Sequence, residues 1–137
     1  MPSRSRHRLV VGLLVAAACG GEDPDYRLVA RGEYVDLLQS TDLEGKVCPG
    51  GVDEVERQIL ELAEEFQVSI PEGYRLDAYI ESSQAVVNER CTTVGSVSAC
   101  FSAGDGSRPP FVTSPRYLRG HEVVHAVQHL LSGGLPH

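Results

Sequence analysis

Apolar residues recur at helical spacing in one stretch of this chain and alternate with polar ones in another. Val52, Val55, Ile59, Leu62, Ala63 and Phe66 return every three or four positions, with Glu54, Arg57, Glu61 and Glu64 on the other side. That spacing predicts an amphipathic helix whose acidic outer face is solvated. Asp53, followed three residues later by Glu56, reads as a capping box at its start. After the turn Pro71-Glu72-Gly73, Tyr74, Leu76, Ala78 and Ile80 alternate with Arg75, Asp77 and Tyr79, the period of a half-buried strand. Tyr26 to Leu38 mixes β-branched and aromatic residues with polar ones and predicts extended strand broken at Gly32. A short helix is expected over Ser82–Asn88 and a strand over Val97–Ala103. A turn at Gly104-Asp105-Gly106-Ser107 then leads back to Phe111-Val112-Thr113. Ser114 offers a capping hydroxyl and Pro115 a preset φ, so the last helix is predicted from Pro115 to about Ser132, ended by Gly133-Gly134. The order of elements predicts an α+β domain.

The amino terminus changes how the rest is read. Residues 1–8 carry three arginines and no acid, and Leu9 to Ala18 is an unbroken apolar run. That run is shorter than the roughly 20 residues needed to span a bilayer. A basic head, a short apolar core and a small-residue ending make residues 1–18 a secretory signal peptide. Ala16-Ala17-Ala18 directly before Cys19 resembles a bacterial lipoprotein signal, in which the cysteine is lipidated and becomes the new amino terminus. Leucine is usual three positions before that cysteine, where Ala16 stands, and the same alanines also satisfy plain secretion. A lipid-anchored envelope protein and a soluble secreted one are therefore both expected outcomes, the former favoured. Residues 19–25 read as the attachment cysteine and a polar tether. Gly20 resembles the residue found in lipoproteins sent on to an outer membrane; the domain proper is expected over 26–137.

Of 137 residues, 12 are basic and 19 acidic. Removing residues 1–18 takes away Arg4, Arg6 and Arg8 and leaves 9 basic against 19 acidic, a net charge of −10. Such a surface repels phosphates, so nucleic acid is excluded as a partner. Length allows one domain. Export allows disulfides. With Cys19 lipidated, Cys91 and Cys100 bracket a short segment and are the expected pair, leaving Cys48 alone or bonded outside the chain. No C-x-x-C spacing suggests a cysteine metal site.

Candidate chemistry is concentrated in His121-Glu122-Val123-Val124-His125. On a helix the two imidazoles share one face, about 6 Å apart along the axis, and can converge on one Zn²⁺. Glu122 is turned about 100° from His121, free to act as general base toward water rather than as a ligand. With this chain's histidine and glutamate frequencies the pattern arises by chance in about 0.02 of such sequences. Its placement in a capped helix after a strand favours a zinc site over two ordinary surface histidines.

HEVVHAVQHLLSGGLPH resembles the active-site helix and following turn of gluzincin-type metallopeptidases of the zincin fold. VSACFSAGDGSRPPFVT is similar to the edge strands beside the substrate cleft there. The likeness covers roughly residues 48–137, with only HEVVH specific. It implies a zincin-like α+β domain, His121 and His125 as zinc ligands, Glu122 as general base, a peptide or protein substrate, and a substrate strand added to the Val97–Ala103 edge.

A catalytic zinc normally has three protein ligands. In the resembled family the third is a glutamate on a later helix, beyond where this sequence ends. His129 lies about 12 Å along the helix from His121, so the three histidines cannot meet one ion. Gln128 and Leu131 occupy the positions where the metzincin pattern needs glycine and histidine. His137 can fold back only if its turn holds it. The chain thus reads as part of a longer peptidase or, alternatively, as an inactive relative. The competing functions are a non-catalytic envelope lipoprotein, binding or scaffolding, and a disulfide-stapled exported domain with an accidental HExxH.

Overall fold

Gly32 turns the first extended stretch back on itself. A computed structural model describes residues 25–45, 47–91, 98–105, 107–115 and 120–133. The signal-peptide and Cys19 readings, the Val97 start of the edge strand and His137 lie outside them. Strand β1 (Tyr26–Arg31) and strand β2 (Val35–Ser40) form an antiparallel hairpin around the Gly32 turn, where Gly32 N–H donates to the Val35 carbonyl at 2.8 Å. A Cβ at Gly32 would collide with the Glu56 carboxylate, which reaches into this turn and accepts from the backbone N–H of Tyr34 at 2.7 Å and of Val35 at 3.2 Å.

That contact corrects the expected capping box. Helix α1 (Gly51–Glu65) starts at an N-cap Gly50 with no side-chain cap, and Glu56 serves the hairpin instead. The acidic face of α1 is solvated as its periodicity implies, with Arg57 bridging Glu54 and Glu61, each at 2.6 Å. The alternating stretch is strand β3 (Leu76–Glu81), and the short helix α2 runs Gln84–Cys91. Strand β4 (Cys100–Ser102) pairs antiparallel with β5 (Phe111–Pro115), and helix α3 spans Gly120–Leu131. Ser114 and Pro115 therefore do not open the last helix. They extend β5, because its parallel register on β3 sets Ser114 opposite Ile80 and Pro115 opposite Glu81. Ser114 is buried by that pairing.

The described elements make an α+β fold with one mixed five-stranded sheet, in the order β1-β2-β3-β5-β4. Side chains alternate across the sheet. Val35, Leu37, Leu76, Ala78, Ile80 and Val112 face α1 and α3, closing a core with Val52, Val55, Ile59, Val123, Ala126 and Val127. On the opposite face lies α2. Cys91 at its end forms the expected disulfide with Cys100 of β4, while Cys48 is free and exposed. Among the described residues no helix is long and apolar enough to cross a membrane.

The bridge closes a loop of nine residues' separation, which on the chain-entropy model stabilises by roughly 2.5–3 kcal/mol. Cys91→Ser with Cys100→Ser is expected to lower the unfolding free energy by about that amount in urea titration. A loss under about 1 kcal/mol would show that β4 and α2 stay docked without it.

Candidate metal centre

Burial on one side of α3 decides what the other side presents. Val123, Ala126 and Val127 are buried against the sheet and α1. With 100° per residue, the stripe His121, His125 and Gln128 then lies within about 60° on the outward side, and Glu122 with His129 occupies the flank between that stripe and the core. Val124 and Leu130 are half-buried.

His121 Nε2 and His125 Nε2 face each other 3.1 Å apart, their rings edge to face with centroids 4.6 Å apart. Two nitrogens bound to one tetrahedral zinc at about 2.0–2.1 Å stand roughly 3.3 Å apart. The pair fits a shared ion with a shift of a few tenths of an ångström. The other nitrogen of His125, Nδ1, is 3.0 Å from Gln128 Oε1. Outer partners of this kind orient metal-binding imidazoles.

These side chains line a cavity of about 570 Å³ between α3 and β4. Its walls include His121, Glu122, His125, Gln128 and His129 from the helix, and Ala99, Cys100, Phe101 and Ala103 from the strand side. β4 ends the sheet order, so among the described residues its outer edge pairs with no other strand. A backbone edge, a carboxylate and two convergent imidazoles thus meet in one groove. His129 turns toward Phe101, ring centroids 5.6 Å apart, and both its ring nitrogens are buried without a hydrogen-bond partner. It sits in the wall beside the histidine pair and does not join it.

Among the described residues no group of three or more His, Cys, Asp or Glu side chains is placed to hold a metal ion. The structure brings His121, Glu122 and His125 to one groove, and adds two residues to which the motif assigned no role. Gln128 was legible as a position three residues after His125, within side-chain reach on a helix. Phe101 had no local signal, since its approach to α3 depends on the β4–β5 register. Neither a family model, a curated protein nor a solved structure matches this chain.

Proposed function

We propose that this protein is an exported zinc-dependent peptide hydrolase, anchored to the cell envelope through a lipid on Cys19. One observation carries the reading: the facing Nε2 atoms of His121 and His125, 3.1 Å apart, in a groove shared with Glu122 and with β4, the last strand of the sheet among the described residues. In this reading His121 and His125 hold the metal. A bound Zn²⁺ would supply Lewis-acid polarisation of the scissile carbonyl and acidify the attacking water. Glu122 accepts the proton of that water and returns it to the departing amine. The β4 edge orients an extended substrate through main-chain hydrogen bonds, which favours a peptide over a compact small molecule. A mixed sheet with an antiparallel edge strand next to the HExxH helix supports zincin likeness.

The second reading is a non-catalytic envelope lipoprotein, a binding or scaffold domain. Metal content separates the two. The purified protein is expected to retain close to one zinc per chain, and His121→Ala or His125→Ala should weaken binding by more than the roughly 10–100-fold that loss of an outer partner costs. Zinc-free protein whose melting temperature ignores added zinc would leave the non-catalytic reading standing, because a ligand bound only by the folded state raises stability.

A further inference from the structure

We propose that the Cys91–Cys100 disulfide is a redox-sensitive latch on the groove: a dithiol that reduces it releases β4, the strand wall, while α2 stays docked and the rest of the fold holds. The inference goes beyond the zinc reading and uses no metal. Both cysteines are half-buried, and Cys100 itself lines the cavity, so the bond lies beside the groove and outside the sealed core. The loop it closes is short, with a separation of nine residues, and a short loop gains less from cross-linking than a long one.

The two elements joined by the bridge are held unequally. β4 has three residues, none of them buried, and among the described residues it bonds to one strand, β5, across three residue pairs. Past Ser102 the chain is tied down again, because the Asp105 carboxylate accepts from the backbone N–H groups of Ser107 and Arg108, each at 3.1 Å. The Cys100 end has the bridge in place of such a tie. α2 keeps two fastenings that reduction does not touch. Val87 is fully buried, and Arg90 Nε donates to the buried Glu81 carboxylate at 2.8 Å, its guanidinium over the Tyr79 ring. Opening the bridge therefore loosens the element with fewer buried contacts, β4, from its Cys100 end. In the step, one thiolate of the dithiol attacks a bridge sulfur and the S–S bond breaks. The other cysteine leaves as a thiolate and takes a proton. The second thiol then attacks the mixed disulfide and frees the first cysteine; two electrons pass to the bridge and the dithiol ends as a disulfide.

Hydrogen–deuterium exchange, read by mass spectrometry on the purified protein before and after dithiothreitol, tests this. Amides of Cys100–Ser102 are expected to exchange about tenfold faster after reduction, while those of Gln84–Cys91 and Leu76–Glu81 keep their rates. Reoxidation should restore the slow rate. Cys91→Ala with Cys100→Ala should exchange like the reduced protein and ignore dithiothreitol, which separates the bridge from the free Cys48. A bridge that resists dithiothreitol in the folded protein, or β4 exchange unchanged by reduction, overturns the inference. Equal acceleration in α2 or β3 also overturns it, since the bond is then a staple of the whole fold.

Discussion

Glu122→Gln is expected to keep its zinc and lose its peptide hydrolysis. The substitution preserves size and removes only the ability to accept a proton. Glu122 lines the groove half-buried, on the flank of α3 next to the histidine stripe, and does not stand among the facing nitrogens. Positioned general bases contribute about 10²–10⁴-fold, so kcat/KM on a peptide library should fall by that factor. Zinc stoichiometry should stay within error of the parent, because the imidazoles proposed to hold the metal are untouched. Loss of metal together with activity would make Glu122 a ligand. Full activity with full metal would remove the proton-transfer role and with it the hydrolytic mechanism.

The second large effect lies on the opposite face of the sheet. Glu81, at the end of β3, is fully buried and accepts three hydrogen bonds, from Tyr26 Oη at 2.7 Å, Arg90 Nε at 2.8 Å and Thr113 Oγ1 at 3.0 Å. The Arg90 guanidinium packs over the rings of Tyr79 and Tyr26, 4.1 and 4.7 Å from their centroids. Burial pushes the Tyr26 hydroxyl up to about 12, so it remains a donor to Glu81 at any ordinary pH. Removing one partner of such a pair leaves an uncompensated charge in the interior, which costs about 3–5 kcal/mol. Arg90→Met, which keeps the apolar stem, is expected to lower the unfolding free energy by that amount in urea. Glu81→Met with Arg90→Met together should cost less than Arg90→Met alone, since neither charge is then orphaned. A single-variant loss below about 1 kcal/mol would mean that water reaches Glu81 and the site is not sealed. Arg90 is adjacent to Cys91, so the ion pair and the disulfide fasten α2 at neighbouring points, one to β3 and one to the β4 wall of the groove.

Local periodicity made α1, β3 and the outward histidine pair legible, because each depends on residues within a turn or two of one another. The Cys91–Cys100 bridge was legible for a related reason: few cysteines and a short intervening segment leave little choice. Glu56 shows where that logic stops. Three residues after Asp53 it has the pattern of a cap, yet its carboxylate serves the backbone of a hairpin more than twenty residues earlier, because two unpaired N–H groups there offer a stronger partner. Ser114-Pro115 has the pattern of a helix start, but parallel pairing with β3 outweighs that preference and keeps both residues extended.

The chain by itself determined an α+β order of elements, an acidic exterior and two imidazoles on one helical face, since these follow from composition and from the fixed geometry of a helix. Tertiary structure alone decided that a strand edge and Phe101 stand across the groove from those imidazoles, and that Glu81 finds Arg90 beneath the other face. Such meetings depend on strand register and on chain closure between distant residues, where many pairings compete and no repeat within a short window distinguishes the one that buries the most apolar surface with every polar group satisfied.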